Sequence, residues 1–210
     1  HLPFRSSLRL MNQTVFVVDD DAAMRDALVE LLETAGLEVE AHADGPAFLA
    51  AYEVDRTGCL LLDMAMPGMT GFEVQAALNA RGLTIPIIFL TGHGDIPMAV
   101  RAVQAGAVDF LEKPIQGAAL LERVQRALAL DLEWRQTQGR TQAIQQHYAR
   151  LSSRERECMA LIASGLTSKE IARKLGISPR TVEVHRTHVM HKMGAANLAD
   201  LLNMAACCKP

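Results

Sequence analysis

The chain has 210 residues, half of them hydrophobic and 21 % charged, the balance of a globular protein long enough for two ordinary domains. It has no apolar run near 18 residues, so no transmembrane helix or membrane association is expected. Cys59, Cys158, Cys207 and Cys208 fit neither a zinc site nor a secreted disulfide framework, which suits free thiols in a reducing cytoplasm. The formal charge of −3 hides an asymmetry: residues 11–130 carry 7 basic and 17 acidic side chains, residues 151–210 carry 9 and 5. The acidic part should repel nucleic acid and the basic part could approach it; unequal solvated surfaces would give the same counts.

Residues 1–10 precede Met11 and carry two arginines, with too short an apolar core for a secretory signal. They read as a tag or a translated leader. Beyond them, apolar runs alternate with amphipathic stretches. Strands are expected at Thr14–Val18, Leu37–Ala41, Cys59–Leu62, Ile85–Leu90 and Val108–Leu111, and helices near 21–35, 45–52, 71–80, 95–105 and 116–130. Val15-Phe16-Val17-Val18 and Ile87-Ile88-Phe89-Leu90 are apolar on both faces, the mark of parallel strands covered by helices on each side. Five such repeats predict a doubly wound α/β fold over 11–130. Pro86 is acceptable only near a strand's start.

Residues 131–150 are rich in Gln, with Gly139 in the middle, and read as a partly helical linker. The rest, 151–210, is helical throughout, and an all-α domain of four helices is expected at about 153–164, 168–175, 179–193 and 195–205. Ser152 with Glu155 and Thr167 with Glu170 form capping-box patterns. Gly176 suits a helix C-terminus, and Ser178-Pro179 an N-cap and first helical position.

In an open parallel sheet, ligands sit beyond the carboxyl ends of the strands. Asp19, Asp20 and Asp21 follow the first strand, Asp63 the third, Thr91 ends the fourth, and Lys113-Pro114 follows the fifth. Each has an ordinary explanation: an Asp run caps a helix, Asp63 before Met66-Pro67-Gly68 opens a turn, and a lysine before proline is solvated. Together they give clustered carboxylates able to hold a hard cation such as Mg²⁺, an aspartate nucleophile, and Lys113 and the Thr91 hydroxyl to meet phosphoryl oxygens.

These residues lie in V-V-D-D-D at 17–21, L-D-M-A-M-P-G-M-T-G at 62–71, T-G-H-G-D at 91–95 and D-F-L-E-K-P at 109–114. Residues 12–130 thereby resemble a response-regulator receiver domain. The resemblance implies that Asp63 accepts a phosphoryl group from a cognate histidine kinase. It also implies that Asp19 and Asp20, with Asp63 and the Ala65 backbone carbonyl, hold Mg²⁺, and that Thr91 and Lys113 contact the phosphoryl group. Phe110 occupies the family's aromatic switch position, and Lys113–Pro114 matches its cis peptide. Dimerisation on phosphorylation is implied through helices 95–105 and 116–130 and the strand between them. The receiver is expected to catalyse its own phosphoryl transfer rather than to act as a turnover enzyme. Ala65 stands where the family often has a basic or polar residue, which bears on dephosphorylation. An Asp-nucleophile phosphatase would need an acid at that position.

Within 167–193, two helices joined by Gly176-Ile177-Ser178 have the turn of a helix-turn-helix. Ile171, Leu175, Ile177, Val182, Val189 and Met193 could form its core. Other faces of 179–193 carry Arg180, Thr181, Glu183, Val184, Arg186, Thr187, His188 and Lys192, side chains that suit a helix reading a DNA groove. A helical bundle with a solvated charged face, working through protein contacts, would show similar periodicity. His185, His188 and His191 share no single helix face, which disfavours a metal site. L-S-S-R-E-R-E at 151–157, G-L-T-S-K-E-I-A at 165–172 and I-S-P-R-T-V-E-V-H at 177–185 resemble the LuxR-type helix-turn-helix. With G-H-G-D-I-P-M-A-V at 92–100, they make the chain similar to the FixJ/NarL group of response regulators, and more narrowly to the FixJ branch. The resemblance implies binding to double-stranded DNA, with Glu183, Val184 and Thr187 toward bases and Lys169, Arg180 and Lys192 near phosphates. Contact with RNA polymerase is a further expected partnership.

Overall fold

The computed structural model describes residues 13–92, 100–102 and 104–208. The leader expected at 1–10 and most of the helix expected at 95–105 lie outside the described residues. The chain divides into two compact units between Trp134 and Arg135.

In the first unit, β1 (Thr14–Val18), β2 (Glu38–His42), β3 (Gly58–Asp63), β4 (Ile87–Thr91) and β5 (Asp109–Glu112) form one parallel sheet. Its order is β2-β1-β3-β4-β5. Alternation along each strand sends side chains to opposite faces. Phe16, Val18, Leu60, Leu62 and Phe89 pack in one core with Phe48 and Leu49 of α2 (Gly45–Ala51) and Val74 and Leu78 of α3 (Gly71–Ala80). Val15, Val17, Cys59, Leu61, Ile88 and Leu90 pack in the other. There they meet Leu28 and Leu32 of α1 (Ala22–Thr34) and Leu120, Val124 and Leu128 of α4 (Gly117–Ala149). Each fully buried Leu or Phe contributes about 1.5–3 kcal/mol of transfer free energy, so both faces must be covered. Pro86 lies just before β4, where its missing N–H breaks no ladder bond, and its carbonyl accepts from Leu60 N–H at 2.9 Å.

The expected linker is one uninterrupted helix. α4 runs from Gly117 to Ala149 through Gly139. A mid-helix glycine costs only about 1 kcal/mol, and the flanking Gln, Arg and Ala are good helix formers. Asp131, which the sequence suggested begins a linker, is buried, and its carboxylate accepts from Gly58 N–H at 2.9 Å. Gln13 Nε2 donates to Leu128 O at 2.8 Å close by. The helix is thus held to the sheet's amino end beyond residue 130.

In the second unit, the end of α4 joins α5 (Ser153–Ala163), α6 (Ser168–Leu175), α7 (Pro179–Met193) and α8 (Leu198–Ala206). Their core includes Ile144, Cys158, Ile162, Ile171, Val182, Val189, Met193 and Leu201, with Leu175 and Ile177 partly buried against it. The sharp turn from α6 to α7 needs Gly176, whose φ of 66° is left-handed. Ser178 Oγ then accepts from Thr181 N–H at 3.0 Å, and Pro179 opens α7. The last helix starts at Leu198 rather than near 195, because Asn197 caps it by accepting from Asp200 N–H at 2.9 Å.

Candidate phosphoryl site and nucleic-acid interface

The parallel sheet brings the carboxyl ends of β1, β3, β4 and β5 to one edge. Asp19 follows β1 and is fully buried; Asp63 ends β3 and Thr91 ends β4, both almost fully buried. Lys113 Nζ lies 2.7 Å from Asp19 Oδ2 and 3.2 Å from Asp63 Oδ2. Its backbone N–H donates to Thr91 O at 2.7 Å, joining the ends of β4 and β5. The Lys113–Pro114 bond is cis. One oxygen from each of Asp19, Asp20 and Asp63 lies within 4.8 Å of the others. Gly71 lets α3 start against this edge: a Cβ there would lie 2.5 Å from Asp63 O and 2.9 Å from the Phe89 ring.

The three adjacent acids have different tasks. Asp21 is the N-cap of α1, accepting from Ala23 N–H at 2.9 Å and Met24 N–H at 3.3 Å. Asp19 and Asp20 turn to the cluster, and Asp20 is exposed. Arg25, which sequence reasoning passed over, donates from Nη1 to Asp19 O at 2.7 Å. Its signal was its place one helical turn after the cap residue. Ala65 is exposed and its N–H donates to Asp63 Oδ1 at 3.4 Å. Phe110 lies on β5, 36 % exposed.

Burial pushes the Asp63 carboxyl above its ordinary range, opposed by Lys113 and reinforced by Asp19. Burial works against the Lys113 charge, but its hydrogen bond to Asp19 and the two carboxylates outweigh this and hold its ammonium above the ordinary value. The edge thus holds crowded acids whose charge Lys113 offsets only in part. That arrangement favours a further hard cation, and carboxylate oxygens are the donors it needs.

On α7, Arg180, Val184, Thr187 and His191 fall at i, i+4, i+7 and i+11 and form an exposed stripe opposite buried Val182, Val189 and Met193. Val184 is 48 % exposed. Thr187 Oγ donates to Glu183 O at 3.0 Å, while Thr181 Oγ pairs with Ser178 Oγ at 2.8 Å. Arg186 Nε lies 4.0 Å from Glu183. Lys169 is exposed on α6. Lys192, expected near a phosphate, has its Nζ 2.7 Å from Oε2 of Glu155. Sequence reasoning gave Glu155 a capping role only. The pairing spans 37 residues, so no local pattern announces it.

Glu155 is buried, 3 % exposed. Lys192, then the Ser152 N–H at 2.7 Å, lower its pKa to about 2. A carboxyl below its ordinary 4.5 stabilises the fold fully above that value and loses the contribution as pH falls toward 2. The melting-temperature gap between wild type and Glu155→Gln should therefore narrow between those two pH values. A gap constant with pH would show that the charge contributes nothing.

The fold and acidic edge define a receiver joined to a helix-turn-helix domain. Residues 15–125 match the response regulator receiver domain, and 149–205 match the bacterial regulatory proteins of the luxR family. The chain is 46 % identical over 192 residues to the transcriptional regulatory protein FixJ of Azorhizobium caulinodans, covering 91 % of this chain and 90 % of that one. It is 40 % identical over 205 residues to the response regulator protein TodT of Pseudomonas putida, covering 96 % and 90 %. The solved structure of the response regulator StyR superposes with a TM-score of 0.81 at 44 % identity, covering 93 % of this chain and 98 % of that one. The chain belongs to the FixJ/NarL family of two-component response regulators with a LuxR-type DNA-binding domain, which control transcription. The receiver implies a histidine kinase partner and the luxR-family domain implies DNA binding. Among the described residues no helix is long and apolar enough to cross a membrane.

Proposed function

We propose that Asp63 takes a phosphoryl group from the partner kinase in the cytoplasm, and that the phosphorylated receiver dimerises so that two copies of α7 engage DNA. The observation that carries this is the meeting of Asp19, Asp63 and Lys113 at one end of the sheet, with Lys113 within 3.2 Å of both acids. An Asp63 oxygen attacks phosphorus, the bond to the donor's imidazole nitrogen breaks, and a carboxylic-phosphoric anhydride forms. Lys113 and the Thr91 hydroxyl meet the phosphoryl oxygens. Asp19, Asp20, Asp63 and the Ala65 carbonyl would hold Mg²⁺, which when bound supplies positive charge to those oxygens. Water later hydrolyses the anhydride, without turnover of any other substrate.

Along α7, Glu183, Val184 and Thr187 are the residues set toward bases. Lys169, Arg180, Thr181 and Arg186 are set toward the sugar-phosphate backbone. Dimeric binding beside a promoter places the protein within reach of RNA polymerase. The working division of the chain in this reading is a receiver through Trp134 and a DNA-binding unit from Arg135 on, supported by the two compact units.

Asp20→Ala tests the acidic site. The side chain is exposed and caps nothing, so removing one crowded carboxylate should leave the metal-free melting temperature level or higher. The rise in melting temperature on adding Mg²⁺ should shrink, and labelling by acetyl phosphate should fall. A metal-free protein that melts clearly lower would make Asp20 a structural residue.

A further inference from the structure

Lys192 stands at the edge of the α7 stripe, on the last turn of the helix and on the side facing α5. Its neighbour one turn earlier, His188, points the same way: Nδ1 lies 3.7 Å from Glu155 Oε1. Glu155 is poorly placed to release them. Its Oε2 accepts from Ser152 N–H at 2.7 Å, while its own N–H donates to Ser152 Oγ at 3.3 Å, so the carboxylate is fixed as part of a helix cap. It is buried, whereas the side chain of Lys192 is 39 % exposed. An ammonium pulled toward DNA would leave a buried carboxylate without its cation, which is strongly unfavourable.

We infer that Glu155 is a specificity-determining positioning residue: it withdraws Lys192 from the sugar-phosphate backbone. Any duplex offers phosphates, so a lysine free to clamp them strengthens binding to every sequence alike. Pairing that lysine with a buried carboxylate removes part of this sequence-independent attraction and leaves recognition to the outward stripe. The inference rests on α7 being the DNA-facing helix.

The experiment measures affinity of the full chain for a random-sequence duplex across a salt series. Each phosphate neutralised adds about 0.9 to the slope of log affinity against log salt. In Glu155→Gln the freed Lys192 should steepen the slope by about 0.9, an extra loss of about 3.5-fold between 50 and 200 mM salt. Lys192→Met should keep the wild-type slope, because that charge was already matched, and the double variant should return to it.

A Lys192→Met slope shallower by about 0.9 would make Lys192 an ordinary phosphate clamp and overturn the inference. Glu155→Gln binding weakened on every duplex with an unchanged slope would leave Glu155 a helix cap and nothing more. If Glu155→Gln does not fold, the Lys192→Met slope decides alone. Wild-type protein without salt-dependent binding would instead remove α7 from the DNA, and the inference with it.

Discussion

Asp63→Asn should take up no phosphoryl group. Incubation with acetyl phosphate and Mg²⁺ should add one group to the wild-type chain, seen as a single increment in intact mass, and none to the variant. The expected loss is complete because the asparagine amide is no nucleophile, while its shape keeps the fold. Two of the other acids at the edge are already engaged. Asp19 is fully buried, holds the Asp21 N–H at 2.9 Å on Oδ1 and binds Lys113 through Oδ2. Asp21 is spent on the α1 cap. The substitution also removes a carboxylate whose ionised form burial disfavours, so the metal-free variant should melt no lower than wild type. Labelling of Asp63→Asn at the wild-type level would place the acceptor elsewhere.

Phosphorylation should also turn monomers into dimers. The phosphoryl group brings nearly two negative charges in exchange for the one on the Asp63 carboxylate, and it does so beside Asp19, where the Lys113 ammonium pairs with both acids. Lys113 should be drawn off Asp19 toward the new charge, and Thr91, whose carbonyl accepts from the Lys113 main-chain N–H at 2.7 Å, should shift with it. Phe110 lies three residues before Lys113 on β5, already partly exposed, and can repack as that strand end shifts. Asp109 beside it is ion-paired with Arg123 of α4, so the change reaches the helix flanking the strand. The surface of β5 and its flanking helices is the proposed dimer face. Moving the balance from 1:99 to 99:1 requires ~5.5 kcal/mol of differential stabilisation. Sedimentation velocity before and after labelling should show the shift, and a monomer in both states at concentrations that occupy DNA would refute it.

Much of the acidic site is legible in the sequence because each of its residues sits at a strand end. Val15 to Val18 and Ile87 to Leu90 are apolar on both faces, which selects a parallel sheet, and a parallel sheet gathers the residues at its strands' carboxyl ends along one edge. Asp19, Asp63, Thr91 and Lys113 need no further information. The residues that escape such a reading act across the fold. Asp131 looks like the start of a linker, since a lone acid in a Gln-rich stretch gives no sign that it meets Gly58 73 residues away. Gly139 looks like a break, because propensity registers its cost but not the neighbours that absorb it. Glu155 is legible as a cap and not as the partner of Lys192. His191 enters the sequence reading only as a metal candidate, although the 3.6-residue period places it on the stripe with Arg180, Val184 and Thr187.

The central claim is that the state of Asp63 sets affinity for DNA. A duplex selected from a random library by phosphorylated protein provides the probe, and fluorescence anisotropy at fixed salt provides the affinity. Wild-type protein treated with acetyl phosphate and Mg²⁺ should bind roughly 5- to 150-fold more tightly than untreated protein, the range of ordinary coupling free energies. Asp63→Asn should bind equally with and without treatment. Equal affinity for treated and untreated wild type, or the same gain in Asp63→Asn, would contradict the account.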